Sequence, residues 1–170
     1  MISAFVASQI LAGVAFVFGL SAYQCRTRKQ TVTAFMCAQI CNSTHLFLLG
    51  ATAGALIMGL SALRFFTSIF TTHPAVKYTF IGVVLVVGAF VYEEIYDVLP
   101  VFASIFGTLA AFEEKDRRMR HYFMIGSLTI LSYYIVVFSP VAIAAGCFYF
   151  TSALIGYWRF YIRKQPEFND

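Results

Sequence analysis

The chain has 170 residues, 60% of them hydrophobic and 12% charged, with a formal net charge of +4 and a mean hydropathy of +0.78. A soluble domain carries about a quarter charged residues, so a soluble globular enzyme and a disordered chain are both excluded, and the natural solvent is a bilayer. The positive excess is explained by where the charges fall rather than by a nucleic-acid partner.

A helix needs about 20 apolar residues to cross a membrane, and the charges cut the chain into runs of that order. Residues 2–24 are uncharged. They predict a first span, TM1, retained because it lacks the positive n-region of a signal peptide. Between Lys29 and Arg64 lie 34 residues without a formal charge, too many for one span and enough for a tight hairpin, with Gly50 and Gly54 at the turn. TM2 is placed at 31–49 and TM3 at 52–70. Thr71-Thr72-His73-Pro74 then ends a helix, because proline lacks an N–H and restricts the residue before it.

TM4 follows at 75–92, closed by Glu93 and Glu94. TM5 runs from near Asp97 to before Glu113, with Pro100 in its first turn, where the missing N–H costs nothing. The 38 residues between Arg120 and Arg159 carry no formal charge and predict a second hairpin turning at Ser139-Pro140, with TM6 at 121–138 and TM7 at 141–160. Four cysteines (Cys25, Cys37, Cys41, Cys147) show no CxxC pair and read as free thiols.

Seven spans with the N-terminus outside satisfy the positive-inside rule. The inner segments then hold Arg26, Arg28 and Lys29; Arg64 and Lys77; Lys115, Arg117, Arg118 and Arg120; and Arg159, Arg163 and Lys164, which are all twelve basic residues. The outside keeps Glu93, Glu94 and Asp97. Anionic inner-leaflet lipid is the partner this charge implies. The C-terminus is cytoplasmic in this reading.

The same order occurs twice: a span, a basic loop, a long uncharged hairpin, and an arginine near the end of the third helix. Residues 1–70 form one three-helix repeat and 97–164 the other, with a linker helix at 75–92. Because the linker is a single span, the repeats run parallel. The expected fold is therefore all-α, with seven transmembrane helices in two parallel three-helix bundles, the layout of SWEET-type transporters. Ser61-Ala62-Leu63 before Arg64 and Ser152-Ala153-Leu154 before Arg159 are matched on this reading.

Three stretches carry a more specific resemblance: His45-Leu46-Phe47-Leu48-Leu49-Gly50-Ala51, Leu60-Ser61-Ala62-Leu63-Arg64, and Val98-Leu99-Pro100-Val101. In their order and spacing they resemble the YgjV family of bacterial inner-membrane proteins, over most of the chain. The resemblance implies a multi-pass protein of the inner membrane, similar in layout to SWEET and PnuC-type permeases.

Polar side chains within spans are the candidate site. Gln39, Asn42 and His45 follow one another at intervals of three and sweep about 120° of TM2. They either line a solute pathway or hydrogen-bond neighbouring helices as glue. Ser61 and Ser152, at matched repeat positions, either bind a polar solute or permit close packing. Tyr133 and Tyr134 on TM6 correspond to His45 on TM2 and suit a gate at the outer end. Cys37, Cys41 and His45 form a stripe, but 37 and 45 lie about 12 Å apart by helix rise, so no metal site is expected. Arg64 and Arg159 read as headgroup-snorkelling residues, with contacts to the acidic part of 113–116 as the alternative. Gly50-x-x-x-Gly54 reads as a packing face.

No Walker motif, nucleophile–base pair or HExxH occurs, and no acidic residue lies deep in a span, so no enzyme and no cofactor are expected. The leading reading is a small permease for a polar, uncharged metabolite of the sugar, nucleoside or vitamin-precursor class. The alternative is a non-transporting membrane protein acting as an assembly partner or regulator. An oligomer is compatible with either, though nothing in the sequence calls for one.

Overall fold

The structure, a computed structural model, describes residues 4–163 apart from position 91 and the side chain at position 53. Lys164 and the tail beyond it lie outside the described residues, as do positions 1–3.

Seven α-helices and no strand occur among the described residues: α1 Ala4–Ala22, α2 Arg28–Leu48, α3 Thr52–Phe70, α4 Pro74–Phe90, α5 Val98–Ala111, α6 Asp116–Val136 and α7 Pro140–Tyr157. A 3-10 turn, Ile95–Asp97, leads into α5, and a π-helical turn, Trp158–Ile162, continues α7. Helix order and number follow the sequence expectation. Length and apolarity alone qualify two stretches as membrane spans, Ala4–Ala22 and Pro140–Ile162. Gly54–Phe70, Pro74–Phe90 and Ile95–Ala111 are apolar but shorter.

The helix ends depart from the expected spans where local hydrogen bonding overrides charge. α2 begins at Arg28, three residues before 31, because Thr27 caps it. The Thr27 hydroxyl accepts from the Gln30 N–H at 3.3 Å, and the Gln30 side-chain oxygen accepts from the Thr27 N–H at 3.4 Å. This reciprocal box satisfies two of the N–H groups that a helix start leaves without partners. A charge inside the first turn does not end a helix, so cutting the chain at charges places the start too late. α6 likewise begins at Asp116 rather than 121.

The two hairpin turns are built alike. After α2, Gly50 N–H donates to Phe47 O and Ala51 N–H to Leu46 O; after α6, Phe138 N–H donates to Ile135 O and Ser139 N–H to Tyr134 O. Both are Schellman closures, which need a left-handed residue just past the helix. Gly50 supplies it at φ 78° and Phe138 at φ 50°. One numbering difference, 88, relates Gly50 to Phe138, and Arg28 to Asp116 and Leu48 to Val136.

The chain divides into two compact units, Met1–Thr71 and Thr72–Asp170. In the first, α2 is the central helix and packs on both α1 and α3. In the second, α6 packs on both α5 and α7, and α4 packs on α5. The approach of α4 to α5 depends on Gly88, where a β-carbon would stand 2.6 Å from Val101 Cγ2.

Candidate functional site

In the first unit, α2 and α3 run antiparallel with a readable register. Leu46 meets Gly54, where a β-carbon would lie 3.0 Å from Leu46 Cδ1. Phe35 stacks on Phe65 with centroids 5.5 Å apart and planes 18° from parallel. Both pairs have numbers adding to 100, and two antiparallel helices climb equally per residue. Gln39 and Ser61 share that relation, so they stand level, on the faces that α2 and α3 turn to each other. Asn42 lies one helical turn from Gln39, about 4.5 Å along the axis.

These three side chains share unspent hydrogen-bonding capacity. Six hydroxyls of the unit are turned back to their own helix: Ser8 to Phe5 O, Ser21 to Phe18 O, Thr31 to Thr27 O, Thr44 to Ile40 O, Thr67 to Leu63 O and Ser68 to Phe65 O. Ser61 does not follow this habit, and neither it nor Asn42 makes a side-chain hydrogen bond among the described residues. Gln39 Oε1 is buried and has no hydrogen-bond partner among the described residues. Buried polar groups are normally paired, and in a bilayer interior the cost of leaving them unpaired is higher still.

His45 behaves differently. Its Nδ1 lies 2.8 Å from the Ser8 carbonyl oxygen. A carbonyl only accepts, so Nδ1 carries the proton and ties α2 to α1. Ser43 ties α2 to α3 through a 2.7 Å bond to Ala55 O. Thus α2 carries both kinds of polar residue that the sequence left open, interhelical bonds at 43 and 45 and uncommitted groups at 39 and 42. The four cysteines form no disulfide among the described residues.

The second unit places Tyr133 between Tyr96 and Tyr134, with centroid distances of 6.4 and 6.1 Å. Burial, reinforced by the carboxylates of Glu94 and Asp97, pushes the Tyr96 phenol up, so it stays protonated. Ser152 is half-buried on α7. With the two turns superimposed in number, Ser152 falls opposite Arg64 and Ser61 opposite Tyr149. The tripeptides Ser61-Ala62-Leu63 and Ser152-Ala153-Leu154 are therefore offset by three residues and do not coincide. The offset also separates the two arginines: Arg64 is 6% exposed with its guanidinium 4.9 Å from the Phe65 ring centroid, whereas Arg159 is exposed. The snorkelling geometry suits Arg159, while Arg64 is buried in the protein. By the same numbering Gln39 corresponds to Ser127, whose hydroxyl is spent on Met124 O, and Asn42 to Ile130. The uncommitted polar layer belongs to the first unit.

One cluster escaped the sequence reading. Arg120 Nε donates to Asp116 Oδ2 at 2.8 Å, an ion pair one turn apart on α6. The Tyr161 hydroxyl donates to the same Asp116 oxygen. The Arg120 guanidinium lies 4.6 Å from the Phe160 ring centroid. Arg117 Nε donates to the Tyr157 hydroxyl at 3.2 Å, and His121 Nε2 shares that hydroxyl at 2.9 Å. Together they fasten the start of α6 to the end of α7. The i, i+4 spacing of Asp116 and Arg120 was visible in the sequence; the tyrosines reach them only because α6 and α7 are antiparallel. Asp116 is thus committed to Arg120, and Glu114 accepts from Thr72 Oγ1 at 2.7 Å.

Seven helices and no strand among the described residues, two of the helical stretches long and apolar enough to cross a membrane and three more apolar but shorter, point to the class of helical membrane proteins. Comparison with known families gives the particular one. The chain matches the Imp-YgjV family, described as bacterial inner membrane protein, over residues 6–164, and it belongs to that family. No curated protein and no solved structure matches it.

Proposed function

We propose that this inner-membrane protein is a small permease that passes a polar, uncharged solute, and that Gln39, Asn42 and Ser61 form its binding layer. The observation that carries this reading is the unspent hydrogen-bonding capacity of these three groups, within one helical turn of the first unit. Apolar residues could replace them at lower cost if packing were their whole role. All three are neutral, so the solute they suit is uncharged. His45 then acts as a supporting position, by holding α1 on α2.

The matching turns, the equal lengths of α2 and α6 and the constant difference of 88 support an internal duplication, and with it seven spans in two parallel three-helix bundles. The charge sorting supports an N-terminus outside, a cytoplasmic C-terminus and contact with anionic inner-leaflet lipid. We propose no catalytic role and no cofactor.

The test is protein-dependent flux of radiolabelled neutral solutes (ribose, glycerol, uridine) into proteoliposomes. Uptake of one of them above that of empty liposomes, reduced in Asn42→Leu and Ser61→Ala, is expected. Uptake equal to empty liposomes for all would overturn the reading. The second reading, a non-transporting assembly partner or regulator, is favoured by the His45–Ser8 and Ser43–Ala55 bonds, which use polar groups purely to join helices. That reading predicts no flux and full folding.

A further inference from the structure

We infer that the solute recognised at this layer presents a flat donor–acceptor edge, as a nucleobase does, rather than a set of sugar hydroxyls. The inference rests on the permease reading above and narrows it. Gln39 and Asn42 are primary carboxamides, and each displays a carbonyl oxygen and an NH2 side by side in one plane. The complement of that pattern is another planar edge with an N–H beside a C=O, which is how Asn and Gln pair bidentately with base edges. A buried carboxamide paired on one atom alone leaves the other unsatisfied, so the bidentate partner is favoured over an isolated hydroxyl.

Layering along the helices points the same way. One turn beyond Gln39 and Ser61 the stacked rings of Phe35 and Phe65 close the α2–α3 interface, with Tyr23 edge-on to Phe35 at 5.1 Å. On the other side Leu46 closes onto Gly54. Between them Ser43 is already spent on Ala55 O, and the uncommitted polar groups span about one helical turn, 4.5 Å from Gln39 to Asn42. Polar groups confined to so thin a layer, with an aromatic layer next to it, match a flat heterocycle better than a bulky polyol. Ser61, level with Gln39, supplies a hydroxyl that donates or accepts at the rim of such an edge.

The experiment is a ligand-dependent thermal shift on the full-length protein in detergent, followed by equilibrium dialysis. The probes are uridine, adenosine, 3-methyluridine, ribose and glucose. A specific ligand raises the apparent stability of the folded state by mass action. The expected result is binding of uridine or adenosine but not of ribose or glucose. Blocking the uridine edge in 3-methyluridine, or replacing the amide donors in Asn42→Asp, weakens uridine binding about tenfold, equivalent to one well-made hydrogen bond. Ser61→Ala serves as the second variant should Asn42→Asp fail to fold. Binding of ribose or glucose as tight as that of the nucleosides, lost in Asn42→Asp, overturns the flat-edge inference and leaves the permease reading standing. Binding of 3-methyluridine equal to that of uridine also overturns it. No binding by any probe overturns it as well, and the flux assay then decides the permease reading separately.

Discussion

His45 on α2 donates through Nδ1 to the carbonyl oxygen of Ser8 on α1, at 2.8 Å and 37 residues away in the chain. The bond crosses two helices, and the Ser8 side chain, fully buried, is already turned to Phe5 O. Of the two readings open for His45, pathway residue or tie between helices, the bond supports the tie.

Removing that tie has a modest and specific cost. Hydrogen bonds between helices in membranes average about 0.6 kcal/mol, with larger cases near 1.7. His45→Ala is expected to lose about 1 kcal/mol in denaturant unfolding from mixed micelles. His45→Asn places an amide donor near the position of Nδ1 and is expected to retain most of the stability. Equal losses in the two variants would show that ring packing, not the bond, holds α1 on α2.

Gly50 and Phe138 occupy the same position in two like turns, and their substitutions are expected to act in opposite directions. A β-carbon at Gly50 meets nothing within 4 Å, so Gly50→Ala tests conformation alone. A left-handed L-residue costs about 1–2 kcal/mol, and Gly50→Ala should destabilise by about 1 kcal/mol. Phe138 already bears that strain at φ 50° while 80% exposed. Phe138→Gly is therefore expected to stabilise by about 1 kcal/mol, unless the ring anchors the turn in lipid, in which case the gain disappears. Thermal unfolding in detergent reads both.

The Asp116–Arg120 pair predicts a strong asymmetry between single and double substitution. Arg120 is 5% exposed as a residue, and the Asp116 side chain is 26% exposed. Removing one partner of a fully buried pair costs about 3–5 kcal/mol, and the partial exposure of Asp116 lowers this, so Asp116→Ala is expected to lose about 2 kcal/mol. Asp116→Leu combined with Arg120→Met recovers most of the loss, because no buried charge is stranded. Tyr161→Phe loses about 1 kcal/mol, the value of one hydrogen bond to a charged acceptor in a partly exposed setting. A double-mutant cycle on Asp116 and Tyr161 measures their coupling; additive losses would separate the two contacts.

Orientation is checked by thiol labelling in intact cells. With the N-terminus outside, the turn between α6 and α7 faces the periplasm and Cys25 faces the cytoplasm. Ser139→Cys in a background lacking the native thiols is expected to react with a membrane-impermeant maleimide, and Cys25 alone only after lysis. The reverse pattern would invert the proposed topology.

Apolar runs, charges and Pro74 were enough to read seven helices in order, their two hairpins and a bilayer as solvent, because burial in lipid demands long uninterrupted apolar segments whatever they pack against. The resemblance carried by short motifs from His45 to Val101 was sufficient to place the family. Helix starts were less legible at 28 and 116: a cap formed by Thr27 and Gln30 decides the first, and the second begins on charged residues without a side-chain cap. Which polar residues tie helices together was decided by tertiary structure. Gln39, Asn42 and His45 share a sector of one helix, and nothing in their spacing separates a residue that bonds to α1 from two that bond to nothing described. The pairing of Ser61 with Ser152 failed for a related reason: repeated tripeptides in apolar helices recur cheaply, whereas hairpin turns fix the register through hydrogen bonds. The bond from Tyr161 to Asp116 joins residues 45 apart. It exists because two antiparallel helices bring those side chains to one level, a proximity that a linear sequence does not encode.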